Sequence, residues 1–149
     1  MIYRILLLVF LSMSLAQIPS KDIARINQDI FSATENNYQD LSIYFTKDAW
    51  GSFSKALIES GNLEYLKKYK MTTIVSFLGV LEVVNNSDAY TVKSHIIVTH
   101  HNDDFYHTNE YVVTMVFEDK NGFYKIKQLD VKSIANAIEG LMRPQCALK

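Results

Sequence analysis

Cysteine is nearly absent from this sequence of 149 residues. Its one cysteine, Cys146, lies three residues from the end, which excludes an internal disulfide, so stability must come from a hydrophobic core. A chain of this length corresponds to one domain and can bury such a core. We interpret Cys146 as a free thiol in a terminal tail; the alternatives are an intermolecular bridge or a lipid attachment.

An excess of charge of one sign is also missing. The sequence has 15 Lys and Arg against 16 Asp and Glu, which gives a formal net charge of −1. Proteins that bind DNA or RNA carry clustered positive charge that neutralises phosphate groups. The composition therefore argues against nucleic acid as a partner.

Long apolar runs are missing after the start of the chain. The run from Ile5 to Leu11 follows Arg4 and precedes the small-residue site Ser14-Leu15-Ala16. This order is typical of a secretory signal peptide, and the run is too short for a bilayer span of about 20 residues. We expect cleavage after Ala16 and no stable membrane anchor afterwards; a retained anchor is the alternative. The predicted organisation is a signal peptide at 1–16, one domain at 17–142 and a flexible tail at 143–149.

Three helices are predicted in the first half of the domain. The first begins near Ser20, a candidate N-cap, and its apolar positions at near-helical spacing are Ile23, Ile26, Ile30 and Tyr38. The second begins after Thr46, also a candidate N-cap, and ends at Gly61. Its apolar face holds Trp50, Phe53, Leu57 and Ile58. A short third helix is expected to begin with Asn62 as its cap.

From Met71 onward the apolar spacing changes to every second residue, and β-branched and aromatic residues become frequent, which indicates β-strands. Asn121-Gly122 is a strong signal for a tight hairpin, and local connections of this kind imply antiparallel pairing. A last helical turn is expected within Ser133 to Leu141. The predicted strands are Thr72 to Phe77, Val80 to Val84, Tyr90 to His100, Asn109 to Glu118 and Phe123 to Asp130.

Helices followed by an antiparallel meander predict an α+β fold, with N-terminal helices packed on one face of a curved antiparallel sheet. Alternation along the third predicted strand supports this layout, because Lys93 and His95 should point away from the face that carries Tyr90, Val92, Ile96 and Val98. We interpret the layout as a cone of the nuclear-transport-factor-2-like or cystatin-like kind.

A histidine-rich stretch raises the question of a metal site, because imidazole binds zinc and copper. Its residues are His95, His100, His101, His107, Asp103 and Asp104. Adjacent histidines in a strand point to opposite faces, and the spacing of the set is irregular. We therefore favour a polar hairpin tip and predict no metal ligands.

Two further residues are candidates for function. Asp130 shares the predicted face of Tyr124 and Ile126, and a carboxylate buried in a cone pocket could serve as a general base. The alternative is that Asp130 lies at the rim of the sheet. Tyr106, in the predicted loop from His101 to Thr108, could anchor a protein contact. No nucleophile with a neighbouring base and no phosphate loop is found, so we predict no catalytic or cofactor-binding residue and no enzyme.

Several segments together resemble the periplasmic domain of DotI/IcmL-like proteins, which are components of the Dot/Icm type IV secretion system and are related to conjugative TraM proteins. The segment from Tyr44 to Trp50, followed by Phe53, Leu57 and Glu59 to Leu63, is similar to the start of that domain. The similar later strands are Ile97 to His101, Glu110 to Met115 and Tyr124 to Asp130.

The resemblance implies a nuclear-transport-factor-2-like fold and a structural role in the inner-membrane part of the secretion machine. It also implies protein partners in that complex, with a homo-oligomer as a further expectation. Members that build the machine carry a transmembrane helix ahead of this domain, so the predicted signal peptide favours a free periplasmic or secreted paralogue. Two alternatives stay open: a ligand-binding or enzymatic cone with Asp130 as base, and a secreted effector-like protein.

Overall fold

The structure is a computed structural model that describes residues 18–86, 89–120, 123–134 and 138–141. The predicted signal peptide at 1–16, Cys146 and the predicted tail at 143–149 lie outside these ranges. Within them, no helix is both long and apolar enough to cross a bilayer.

The first helix, α1, spans Ser20–Phe31 and buries one face, formed by Ile23, Ile26, Asn27 and Ile30. Pro19, and not Ser20, occupies the N-cap position. The helix is shorter than predicted, because Asn37 Oδ1 accepts hydrogen bonds from the Thr34 amide (2.7 Å) and hydroxyl (3.0 Å) and so draws this backbone out of the helical pattern. A 3-10 helix at Tyr38–Tyr44 follows.

Helix α2 spans Lys47–Glu59 and α3 spans Asn62–Lys68. The predicted cap of α2 is confirmed, since Thr46 Oγ1 accepts from the Ala49 amide at 3.4 Å. Gly61 separates the two helices in a left-handed conformation (φ +69°), which glycine adopts without a steric penalty. Asn62, predicted as a cap, is instead the first residue of α3 and makes no side-chain cap bond.

The sheet is antiparallel in the order β1-β2-β3-β4, and β5 also pairs with β3. Lys120 lies opposite Phe123, as the predicted hairpin requires, although Asn121-Gly122 itself lies outside the described residues. The strands are β1 at Thr72–Asn86, β2 at Ala89–His101, β3 at Phe105–Lys120, β4 at Phe123–Ser133 and β5 at Ile138–Leu141.

The two strands predicted at Thr72 to Phe77 and Val80 to Val84 are one continuous strand, β1. Its register against β2 shifts between Phe77 and Gly79 and again between Val80 and Glu82. These bulges leave Leu78 and Leu81 without a directly opposed residue in β2. Gly79, at φ +145°, interrupts the alternating pattern and so imitates a turn in the sequence.

The helical turn predicted within Ser133 to Leu141 is wrong for the described residues, which form strands at both ends of that range; residues 135–137 lie outside the described ranges. Strand β4 continues through Ser133, and β5 pairs with the beginning of β3, where Phe105 lies opposite Leu141. The described pairing of β3 with β4 begins only at Tyr111. Strand β5 therefore supplies backbone partners to the part of β3 that β4 does not reach.

The core forms between the helices and one face of the sheet. The predicted alternation in β2 is confirmed, because Tyr90, Val92, Ile96 and Val98 are buried while Lys93 and His95 are only partly buried. Val113, Met115, Phe117 and Ile126 complete this layer from β3 and β4. The fold class is therefore α+β, with helices on one face of an antiparallel sheet, as predicted.

One polar contact crosses this core. Asn27, fully buried on α1, donates from Nδ2 to Ile23 O (2.9 Å) and to Ser94 Oγ on β2 (3.1 Å). Within the described part of the chain, Asn27 Oδ1 has no hydrogen-bond partner. The contact fixes the position of α1 on the sheet, because a buried amide without partners costs free energy.

Helix α2 packs more loosely than its sequence suggests. None of its residues is fully buried, and Trp50 is half-buried against Phe45 and Phe53, with ring centroids 5.8 and 6.0 Å away.

Replacing a fully buried Trp with Ala costs about 3 to 5 kcal/mol. Trp50→Ala should therefore lower the free energy of unfolding by roughly 2 kcal/mol in urea titrations, and the variant should still fold. The exposed control Ser52→Ala should change it by less than about 0.5 kcal/mol. Equal values for both variants would contradict this packing.

The Asn27–Ser94 contact predicts energetic coupling between α1 and β2. In a double-mutant cycle of Asn27→Ala and Ser94→Ala, measured by urea denaturation, the coupling energy should be about 1 kcal/mol. Additive single effects, with a coupling below about 0.3 kcal/mol, would show that the contact does not hold the helix to the sheet.

Candidate functional site

A pocket of about 640 Å³ opens between the helices and the sheet. The ends of α1 and α2 form one wall, and strands β2, β3 and β4 form the other. Its apolar lining consists of Ile30, Phe31, Ala33, Phe53, Ala56, Leu57, Val98, Leu129 and Val131. Pockets of this size and character are the usual place for a small ligand.

Two histidines lie on the sheet wall of this pocket. His100 and His107 are directly opposite each other in the pairing of β2 with β3. His100 Nδ1 is hydrogen-bonded to Thr73 Oγ1 at 2.8 Å, and Asn109 Nδ2 donates to His107 Nε2 at 2.6 Å. Burial, and secondarily the neighbouring His107, lowers the pKa of His100. The His100 imidazole is therefore neutral at neutral pH.

The lining of the pocket contains no Asp, Glu, Lys or Arg among the described residues. Tyr111, which also lines it, stacks on Phe31 with ring centroids 5.7 Å apart. Burial raises the pKa of Tyr111, so its hydroxyl stays protonated. Among the described lining residues, the two imidazoles thus form the polar end of the pocket.

The histidine-rich stretch is divided between different surfaces. His95 points to the opposite sheet face, where its Nε2 lies 2.5 Å from Glu110 Oε1. His101 lines a separate shallow depression together with Asp103 and Asp104. In the ranges described above, no three side chains of the metal-ligating types converge.

Asp130 does not enter the pocket. A bulge at Lys127, where Val116 pairs with Gln128 but Phe117 pairs with Ile126, reverses the alternation of β4. Leu129 therefore faces the pocket, whereas Asp130 is exposed on the other side. The general-base hypothesis for Asp130 is wrong for this reason.

Tyr106 is not in a loop. Strand β3 begins at Phe105, so Tyr106 lies inside it, opposite His101 of β2 and Gly140 of β5. Its side chain is only partly exposed. Tyr106 is therefore not an aromatic residue in an exposed loop, which was the basis for expecting a protein contact there.

A second surface, which the sequence reasoning missed, is the free edge of β1. In the described sheet no strand pairs with this edge. Of its fifteen residues only Glu82 is charged, and that carboxylate lies 2.6 Å from Lys93 Nζ. The exposed apolar side chains of β1 are Ile74, Leu78, Leu81, Val83 and Val84. The sequence does contain a signal for this surface, namely a strand of fifteen residues with one charged side chain. Edge strands usually carry Lys or Pro, which block pairing with other chains.

The fold has counterparts of known structure. An IcmL-like type IV secretion system protein from Legionella pneumophila is 16% identical with a TM-score of 0.66, over 81% of this chain and 97% of that one. The periplasmic domain of DotI is 22% identical with a TM-score of 0.61, over 80% of this chain and 99% of that one. At these identities the likeness shows a shared fold. No curated protein sequence gives a significant match.

The family of this chain is identified from its sequence. The DotI/IcmL family model, described as a type-IVb secretion system, inner-membrane complex component, matches residues 23–137. This match covers most of the chain and includes the segments from Tyr44 to Trp50 and from Tyr124 to Asp130, in which the resemblance was noted. The resemblance is confirmed, and the chain belongs to the DotI/IcmL family of type IVb secretion system components.

Proposed function

We propose that this protein is a non-enzymatic, exported periplasmic domain that contacts protein partners in or near a Dot/Icm-type secretion apparatus. Membership of the DotI/IcmL family supports the setting. The likeness to a structure described as the periplasmic domain of DotI supports the compartment. The cone-like shape inferred from the sequence belongs to the same proposal.

The free edge of β1 is the observation on which the contact function depends. Unpaired N–H and C=O groups along an exposed strand are a template for a strand from another protein, and main-chain hydrogen bonds supply the affinity. Leu78 and Leu81, 53% and 56% exposed, stand at the two bulges and offer apolar side chains to the incoming chain. Several exposed apolar residues along one strand favour an interaction site.

The pocket favours binding over catalysis. Its described lining offers no carboxylate or thiol, and Ser60 donates its hydroxyl proton to Leu57 O at 2.7 Å within its own helix. With Asp130 outside the pocket, the enzymatic alternative loses the base on which it depended. An effector-like role differs from the main proposal in its partners, which the experiment below identifies.

Export predicts a processed N-terminus. Because the segment 1–16 has the order of a signal peptide, N-terminal sequencing of the protein from a periplasmic extract should begin at Gln17. Recovery of a chain that begins at Met1 in carbonate-washed membranes would contradict cleavage and indicate an anchor.

A positive charge on the β1 edge should remove the partner without unfolding the domain. We expect Leu81→Lys to reduce copurification of secretion-apparatus proteins by about tenfold, because an interface must desolvate the new ammonium group. Ile58→Lys on α2 is the matched control, since Ile58 is also 56% exposed. Captured proteins are identified by mass spectrometry, and folding is checked by melting temperature.

If both variants reduce copurification equally, or if Leu81→Lys does not reduce it, the β1 edge is not the contact surface. Capture that depends on Leu81 but returns only proteins unrelated to secretion would favour the effector-like alternative.

A further inference from the structure

We propose that the pocket between the helices and the sheet binds a single-chain amphiphile with a carboxylate head group, such as a medium-chain fatty acid, whose head lies against His100. The site is separate from the β1 edge, and the inference does not depend on the partners proposed above. It rests on the volume of the pocket, on a described lining without Asp, Glu, Lys or Arg, and on the hydrogen bonds of its two histidines.

The body of the pocket suits an alkyl chain. A volume of about 640 Å³ falls within the range of small-molecule sites, about 300 to 1,000 Å³. Side chains from α1, α2 and the sheet surround it, with Phe31 and Phe53 among the aromatic walls. Filling this space would remove apolar surface from water on both sides, which is the main source of affinity for such a ligand.

The head-group end is set by His100. With the Thr73 hydroxyl as donor, His100 Nδ1 is the acceptor at 2.8 Å and the ring proton lies on Nε2. Among the described residues, no hydrogen bond engages Nε2. A carboxylate oxygen at this position would accept from Nε2–H, and its charge would favour a second proton on the ring.

His107 and Asn109 place further polar groups at the same end of the pocket as His100. Asn109 Nδ2 donates to His107 Nε2, which holds that imidazole beside His100 across the β2–β3 pair. An Nε2 that accepts this bond carries no proton, so His107 adds a neutral polar ring to the head-group end of the pocket.

A cationic head group would need a carboxylate partner, and the described lining offers none. The absence there of Lys and Arg also argues against a phosphate dianion, which usually requires several charge-assisted donors. A monoanionic carboxylate on an apolar chain is the class that the lining fits.

Trp50 provides an optical measurement of binding. It is the only tryptophan in the chain, and its ring centroid lies 6.0 Å from that of Phe53, a pocket residue. A dodecanoic acid brominated on its alkyl chain should quench Trp50 fluorescence saturably, below its micellar concentration, and unbrominated dodecanoate should reverse the quenching. Brominated dodecanol should bind about tenfold more weakly, because its head is not charged. The dodecyltrimethylammonium ion should not displace the acid.

Variants test the head-group contact. His100→Gln should weaken the acid about tenfold and leave the alcohol unchanged, because the charge-assisted bond is lost. His101→Gln is the matched control, since His101 lines a different depression. Ala56→Phe should obstruct the pocket from an exposed helix position and weaken both ligands.

No saturable quenching in the wild-type protein would overturn the proposal, whatever the variants do. Equal affinity for acid and alcohol, or an equal loss with His100→Gln and His101→Gln, would overturn the assignment of the head group to His100.

Discussion

The packing of α1 on one face of the sheet is the constraint on which the rest of the structure depends. Ile23 and its neighbours on α1 belong to one buried cluster with the inner residues of β2 and β3, and Asn27 joins the helix to Ser94 of β2. In the described part of the chain the helices cover only this face. The direction of each strand residue therefore decides whether it enters the core and pocket or the outer surface.

Bulges decide that direction at the two candidate surfaces, the pocket and the β1 edge. The bulge at Lys127 turns Leu129 into the pocket and Asp130 to the outside, which keeps the Asp130 carboxylate out of the described pocket lining. The shifts at Leu78 and Leu81 leave apolar side chains on a free edge. They also break the regularity of that edge, which limits unspecific pairing. Bulges in two different strands thus shape one wall of the pocket and the apolar edge.

Features encoded by local spacing could be predicted from the sequence, whereas those that depend on register could not. Strict alternation gave the inner face of β2 correctly, and Thr46 was correctly identified as a helix cap. Asp130 was placed on the wrong face, because a bulge is fixed by the partner strand and leaves little trace in composition. Strand β5 was missed because its pairing with β3 is a distant contact that no local pattern specifies. His100 was noticed only as a metal candidate, since its pairing with His107 follows from the strand register.

We propose that the protein acts by accepting a partner strand on β1. Amide hydrogen exchange followed by mass spectrometry measures this directly, because the β1 amides that point away from β2 have no strand partner in the described sheet. Residues 72–86 should exchange more slowly in the assembled secretion complex than in the isolated domain, while α2 should change little. Unchanged exchange over 72–86, together with new protection of α2 or α3, would contradict the account.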